Sequence, residues 1–141
     1  MARPIRTFLD SGVLIAAFNG PSHLRERALQ TLEDPGRLFL TRLFVRLEVL
    51  PKAIFNKRAA ETRFYERFFA RAMVARDLKA ILTLGEKEAA HSGVGPMDSL
   101  HVAAAHLLRA HQFITTERPN KSIHRSSLVN VVYLFSQRRG G

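Results

Sequence analysis

Short apolar segments alternate along the chain with longer stretches in which apolar residues recur every three or four positions. The short segments predict β-strands, and the longer stretches predict amphipathic α-helices that bury one face. The strands are predicted at 5–9, 38–41, 79–84, 112–116 and 128–134, and the main helices at 13–18, 22–33, 59–76, 86–91 and 96–110.

Proline, glycine and short polar residues mark where these helices begin and end. The segment 19–21, Asn-Gly-Pro, is expected to stop the first helix, and Ser22 is placed to cap the second, which ends at 34–36, Asp-Pro-Gly. The glycine-free middle of the chain suits helices, although Pro51 is expected to kink or divide the first of them. Pro96 suits the first turn of a late helix.

The alternation of short strands with helices predicts an α/β layer architecture with a mainly parallel sheet. A chain of 141 residues with 46% hydrophobic and 24% charged residues fits one globular domain over 1–141. Neither an internal repeat nor a linker is visible in the sequence. The architecture predicted is therefore a single α/β domain.

Charge points to the kind of partner. The chain has 22 Lys and Arg against 12 Asp and Glu, a net charge of +10. Such an excess favours a polyanionic partner, with nucleic acid as the first choice and simple solubility as the alternative. The absence of cysteine excludes disulfides and thiolate metal sites.

The hydrophobic segments are too short for a membrane protein. The longest apolar run, 13–18, falls far short of the roughly 20 residues that span a bilayer. Asp10 splits the only candidate for a secretory signal near the start of the chain. No membrane association and a cytoplasmic location are therefore expected.

Four acids interrupt apolar segments of this basic chain: Asp10, Glu48, Asp98 and Glu117. Asp10 and Glu117 follow predicted strands, so both are expected at the carboxyl edge of a parallel sheet, where functional crevices lie. Glu48 follows the second strand, and Asp98 falls in the first turn of a helix, whose dipole favours a carboxylate. Oxygen ligands of this kind prefer Mg²⁺ or Mn²⁺ to zinc. Two such ions about 4 Å apart catalyse phosphodiester hydrolysis in other enzymes.

Each acid also has a structural interpretation. Asp98 would support its helix start, and Asp10 would form a turn before Ser-Gly. Glu48 would pair with Lys52 one helical turn later, and Glu117 would be plain surface charge. Only the joint order of the four acids favours a shared site.

Four motifs carry a resemblance to a known family: Phe-Leu-Asp-Ser-Gly-Val-Leu-Ile at 8–15, Leu-Glu-Val-Leu at 47–50, Met-Asp-Ser-Leu-His-Val-Ala-Ala-Ala at 97–105 and Ile-Thr-Thr-Glu at 114–117. In their order and spacing the chain resembles the PIN-domain ribonucleases, particularly the compact VapC-like toxin branch. The resemblance implies a PIN-like three-layer α/β/α fold and RNA cleavage dependent on Mg²⁺ or Mn²⁺. It implies that Asp10, Glu48, Asp98 and Glu117 are the catalytic and metal-binding residues.

Two positions depart from the family pattern. Gly12 stands where the family usually has Asn or Ser, and Glu117 stands where Asp or Asn is commoner. The basic residues that follow Glu117 lack the acid often seen there. These departures leave open a second hypothesis, a degenerate PIN-like module that binds RNA or protein without cutting. A haloacid-dehalogenase-like phosphatase is a distant third, because it needs an Asp at position 12.

The resemblance also implies partners. It suggests a homodimer and, in toxin members, an antitoxin protein whose tail covers the acidic site. The aromatic stripe at 64–73 is either a docking surface or part of the core, and core is the preferred interpretation.

Other polar residues near the motifs have weaker interpretations. Ser11 and Thr116 are candidates for hydrogen bonds to a phosphate or to water at the site. His101 and His106 are five apart and do not match the i, i+4 spacing of a helical metal pair, so both are interpreted as non-ligands. The basic residues around Glu48 are candidate phosphate contacts: Arg42, Arg46, Lys52, Lys57 and Arg58.

Overall fold

A five-stranded sheet, parallel throughout, forms the middle layer of the computed structural model, which describes residues 3–136. The strands are β1 (Ile5–Leu9), β2 (Arg37–Arg42), β3 (Met73–Ala75), β4 (Gln112–Thr115) and β5 (Val131–Tyr133), in the order β3-β2-β1-β4-β5. The predicted α/β class and the parallel sheet are confirmed.

Helices fill the crossover connections that parallel strands require. They are α1 (Ser11–Asn19), α2 (Ser22–Leu32), α3 (Leu43–Phe55), α4 (Ala59–Arg71), α5 (Leu78–Ser92) and α6 (Pro96–Leu107), with two 3₁₀ turns at Ser122–Arg125 and Leu134–Ser136. The chain steps from β1 through β2 to β3 in one direction and returns across the sheet to β4. Because such crossovers are right-handed, α1 to α4 cover one face and α5 and α6 cover the other. This is the three-layer α/β/α arrangement.

The core lies on both faces of the central strands. The rings of Phe8 on β1 and Phe113 on β4 stack with centroids 5.1 Å apart, and both side chains are fully buried. The alanine run 103–105 of α6 is also fully buried, because small side chains let a helix approach the sheet closely. On α4, Tyr65 and Phe68 are buried, so the aromatic stripe serves mainly as core.

The third strand is not where the sequence pattern predicted it. The segment 79–84 lies inside α5, and β3 is formed by Met73–Ala75, which the pattern had assigned to the end of the preceding helix. The side chain of Asp77 accepts a hydrogen bond from the backbone N of Ala80 and caps α5. A short apolar run does not by itself distinguish a strand from a helix segment. Here the Asp77 cap favours a helix that begins at Leu78.

Two details about single residues differ from expectation. Pro51 was expected to kink or divide its helix, and it does not divide it, since α3 runs from Leu43 to Phe55 with Pro51 inside it. Ser22 does not cap α2 but is its first residue, and Pro21 precedes it. Within 3–136, no helix is both long and apolar enough to cross a bilayer.

A buried carboxylate anchors the loop between β4 and β5. Glu88 of α5 is 3% exposed and accepts hydrogen bonds from the hydroxyls of Ser92, Ser126 and Ser127 and from the backbone N of Ser127 and Leu128. Burial alone would raise the pKa of Glu88, but these donors outweigh it and hold the pKa below its usual value. The loop between β4 and β5 is therefore tied to α5.

Candidate active site at the carboxyl edge of the sheet

The sheet order creates a crevice between β1 and β4. The connections that leave these two neighbouring strands cover opposite faces, and ligands of open α/β sheets bind at such a point, outside the carboxyl ends of the strands. Asp10 follows β1 directly, and Thr115 ends β4. The edge that the sequence pattern indicated is thus the switch point of the fold.

Asp10 is held in place by the pairing of β1 with β4. Its backbone N donates to the carbonyl of Ile114 at 3.0 Å, and its carboxylate Oδ2 accepts a hydrogen bond from Thr115 Oγ1 at 2.8 Å. The residue is 8% exposed and precedes the first turn of α1. No motif in the sequence singles out Thr115. Its only signal is the register of the two strands, in which Leu9 pairs with Ile114.

Gly12 is explained by a close approach of Thr116. A Cβ added at Gly12 would overlap Thr116 Oγ1, whereas the Thr116 Cβ would lie 3.6 Å from it, an ordinary contact. The threonine hydroxyl therefore occupies the space that a side chain at position 12 would need. The departure of Gly12 from the family pattern has a local steric cause, and a polar group is still present there.

Glu48 lies in the second turn of α3 and faces the same crevice. Its Oε1 is 3.1 Å from His101 Nε2, and its Oε2 accepts a hydrogen bond from Ser11 Oγ at 3.3 Å. The hydrogen bond from His101 lowers the pKa of Glu48 below its usual value, against the opposing effect of burial. Among residues 3–136 the side-chain nitrogen that contacts the Glu48 carboxylate belongs to His101, not to Lys52.

His101 is a buried neighbour of Glu48 that no motif in the sequence indicated. Its side chain is 2% exposed, and its Nδ1 meets no hydrogen-bond partner in the described part of the chain. Because a carboxylate oxygen only accepts hydrogen bonds, Nε2 of His101 carries a proton and donates it to Glu48. The available signal was the i, i+3 spacing from Asp98, which places both residues on one face of α6.

Asp98 stands in the first turn of α6 and is partly buried. Burial raises the pKa of Asp98 above its usual value, and the negative charge of Asp10 raises it further. Glu117 and Glu48 act in the same direction, while His101 opposes them. The four acids thus lie close enough for their charges to interact, and the crevice has an excess of negative charge.

Glu117 is exposed at the rim of the crevice. Its backbone N donates to Thr115 Oγ1 at 3.0 Å, and its carbonyl is 2.8 Å from His124 Nε2. The hydroxyl of Thr115 therefore connects the loop that carries Glu117 with the carboxylate of Asp10. One threonine aligns two of the four acids.

Arg42 differs from the other basic residues around Glu48. It is 1% exposed, its guanidinium lies 4.2 Å above the Phe44 ring, and burial lowers its pKa to about 10 against the attraction of Glu48. Its guanidinium nitrogens have no hydrogen-bond partner among the described residues. Arg42 therefore acts on Glu48 through charge, while Lys52 and Arg58 are exposed.

The carboxylate oxygens of the crevice are ligands of the kind that a hard divalent cation prefers, although they are not arranged as a complete coordination shell. The carboxylate of Asp98 accepts no hydrogen bond in the described chain, and its pKa is raised by burial and by the negative charges of the neighbouring acids. Within residues 3–136, however, no three His, Asp or Glu side chains are already close enough to hold one ion together. Asp10 and Asp98 have free oxygens for a metal, and Glu48 is engaged by His101 and Ser11.

Fold and site together define an α/β domain with an acidic crevice at the switch point of a parallel sheet. The family model described as the PIN domain matches residues 7–118, so the chain belongs to the PIN-domain family. This family consists generally of nucleases and typically depends on a divalent metal. A comparison with curated protein sequences finds no significant match.

Several solved structures share the fold. A chain of a toxin-antitoxin complex from Klebsiella pneumoniae is 20% identical, with a TM-score of 0.64 over 79% of this chain and 86% of that one. A chain of DNA-bound VapBC from Salmonella typhimurium is 22% identical, with a TM-score of 0.63 over 92% and 98%. A chain of VapBC2 from Rickettsia felis, bound to a promoter DNA fragment, is 16% identical, with a TM-score of 0.66 over 91% and 98%. At these identities the likeness concerns the fold.

Proposed function

We propose that this protein is an endoribonuclease that cleaves RNA phosphodiester bonds with Mg²⁺ or Mn²⁺. The observation that carries the proposal is the grouping of four acids at the carboxyl edge of the sheet, where their charges interact. Burial raises the pKa of Asp98, and the negative charges of Asp10, Glu117 and Glu48 raise it further. Natural proteins keep such a costly arrangement chiefly at functional sites, where a bound cation offsets the repulsion.

The acids have different roles in this proposal. Asp10 and Asp98 would hold the metal ion directly, and Glu48 would join them on release of one of its two present contacts, His101 or Ser11. Glu117 reaches the ion from the rim, directly or through a water molecule. A divalent ion bound here supplies acidity to a water molecule and positive charge to the scissile phosphate.

Neighbouring side chains orient these ligands. Thr115 holds Asp10 Oδ2 at 2.8 Å, so that the other carboxylate oxygen points away from this contact. His101 keeps Glu48 ionised, since its hydrogen bond lowers the pKa of that carboxyl. Such contacts outside the ligand set fix ligand orientation and raise metal affinity.

RNA is the proposed substrate because the chain combines a net charge of +10 with an acidic catalytic crevice. Phosphate attraction brings the strand to the basic surface, and counterion release supplies much of the affinity. Cleavage should therefore weaken steeply with added salt.

The proposed place of action is the cytoplasm.

The fold neighbours favour the toxin branch of the family. Chains of similar fold occur in complexes described as VapBC and as a toxin-antitoxin pair. We propose that this chain likewise acts as a toxin, forms a homodimer and binds an antitoxin that covers the acidic crevice. Growth inhibition on expression, lost in Asp10→Asn, supports this role, while a strict monomer in light scattering at high concentration contradicts the dimer.

A binding module without nuclease activity is the second candidate. It is favoured by the engagement of Glu48 with His101 and by the absence, within 3–136, of a preassembled group of three metal ligands. In that case the protein binds RNA or a partner protein equally well with and without divalent metal.

Cleavage of single-stranded RNA by purified protein separates the two candidates. Wild type should cut only with Mg²⁺ or Mn²⁺, and Asp98→Asn should lose at least about a hundredfold, as expected when a charged group essential to the transition state is removed. Equal cleavage by the two proteins contradicts the metal mechanism. RNA binding without cleavage by wild type favours the binding module.

A further inference from the structure

A small polar pocket adjoins the acidic crevice on the side of α1, α3 and α4. Its volume is about 180 Å³, and Glu48 belongs both to its wall and to the crevice. The other polar groups of the wall belong to Asn19, Lys52, Asn56, Arg58, Glu61 and Tyr65. Whatever occupies this pocket therefore lies next to the proposed catalytic centre.

One wall of the pocket is preorganised. Glu61 is 7% exposed and accepts hydrogen bonds from Tyr65 Oη at 2.7 Å, Asn19 Nδ2 at 2.9 Å and Arg58 at 3.2 Å. Burial alone would raise the pKa of Glu61, but these donors hold it below its usual value, so the carboxylate stays charged. A wall of this kind needs no rearrangement when a ligand binds, which favours affinity.

The rest of the wall offers apolar surface and unused polar groups. Ile15, Val49 and Ala53 supply the apolar part. The side chains of Lys52 and Asn56 are exposed and take part in no ion pair or hydrogen bond of the described chain. An amide and a cation beside apolar surface suit a flat ring with polar edges that is attached to a phosphate, which describes a nucleotide.

Size narrows the choice of base. An apolar cavity of about 150 Å³ holds one benzene ring. At about 180 Å³ this pocket admits one six-membered ring with its exocyclic groups and is tight for a fused double ring. The volume thus favours a pyrimidine over a purine.

We infer that this pocket binds a pyrimidine base of the RNA strand, one that adjoins the scissile phosphate. Asn56 hydrogen-bonds the edge of the base, and Lys52 contacts the neighbouring phosphate. The inference rests on the proposed ribonuclease function and adds a base preference to it. A partner protein with a side chain in the pocket is the competing occupant.

The test measures binding of ten-nucleotide oligo(U) and oligo(A) to the whole protein in EDTA, so that cleavage does not interfere. Asn56→Ala should reduce oligo(U) binding about fivefold, the effect of one net hydrogen bond, and leave oligo(A) binding unchanged. Lys52→Ala should weaken both RNAs equally and lower the salt dependence of binding by about one phosphate contact.

Arg67→Ala is the matched control, because Arg67 is an exposed arginine of α4 that does not line the pocket. This variant should leave the ratio of oligo(U) to oligo(A) binding unchanged. Melting temperatures of all variants check that the pocket variants are folded.

A parallel cleavage assay with Mn²⁺ separates failure of the pocket from failure of the proposed function. Cleavage with no effect of Asn56→Ala on base preference overturns the pocket assignment alone. A base preference that depends on Asn56 without any cleavage supports the pocket and removes the nuclease. RNA binding that is indifferent to both pocket variants overturns the inference and favours a protein occupant.

Discussion

Gly12 and Thr116 give a test of the site geometry that does not depend on catalysis. Gly12 is the second residue of α1, and its φ is not in the left-handed region. Such a backbone accepts alanine, and replacing glycine by alanine in a helix stabilises a protein by roughly 0.5–1 kcal/mol when the new methyl group has room. Here the methyl group overlaps Thr116 Oγ1.

The overlap should reverse the sign of the substitution. Forcing one extra methyl group into an occupied site costs about 1–3 kcal/mol. The net effect of Gly12→Ala in the wild type is thus a loss of up to about 2 kcal/mol in the free energy of unfolding. In a Thr116→Ala background the nearest atom becomes the Cβ of residue 116 at 3.6 Å, an ordinary contact, and the same substitution should stabilise.

Urea unfolding of the four proteins of this double-mutant cycle measures the coupling between the two positions. The expected result is a coupling of at least about 1 kcal/mol, with Gly12→Ala destabilising the wild type and stabilising the Thr116→Ala protein. Equal stabilisation by Gly12→Ala in both backgrounds would refute the steric explanation for the glycine.

Three further predictions concern charge and hydrogen bonding. Asp98→Asn should raise the melting temperature of the metal-free protein near neutral pH. Because the pKa of Asp98 is raised in the fold, ionisation of its carboxyl costs stability at a pH above the usual pKa of 3.8. The gain from the substitution should therefore vanish below that pH. Glu88→Gln should lower the free energy of unfolding by about 2 kcal/mol at pH 7. Because the pKa of Glu88 is lowered in the fold, this loss should shrink as the wild-type carboxyl is protonated at a pH below its usual pKa of 4.5. Tyr65→Phe should lower the free energy of unfolding by about 1–3 kcal/mol through loss of the donor to Glu61. Tyr133→Phe is the matched control, because the Tyr133 hydroxyl makes no hydrogen bond in the described chain. An unchanged urea midpoint for Tyr65→Phe contradicts this.

The sheet and its acidic edge followed from local signals in the sequence. Short apolar segments separated by helices predicted the parallel sheet, and Asp10 at the end of the first of them marked its carboxyl edge. The third strand was misplaced because Met73–Ala75 is only three residues long, too short for a periodic signal. The apolar run 79–84 looked equally like a strand until the Asp77 cap was seen.

The contacts that orient the acids depend on tertiary register. Thr115 is 105 residues from Asp10, and His101 is 53 from Glu48, so neither contact has a local pattern. The overlap at Gly12 likewise arises from a residue of the strand-end loop across the crevice. Residue type and order indicated acids near the carboxyl edge of the sheet, while the partners of those acids required the structure.

The most direct test of the metal site is anomalous diffraction from a crystal soaked in Mn²⁺. The proposal predicts one strong peak in the crevice with carboxylate oxygens of both Asp10 and Asp98 at roughly 2.1–2.2 Å, near the distance that Mg²⁺ adopts. Glu48 should have turned toward the ion. A peak bound by neither aspartate, or none at a concentration that supports RNA cleavage, would contradict the account.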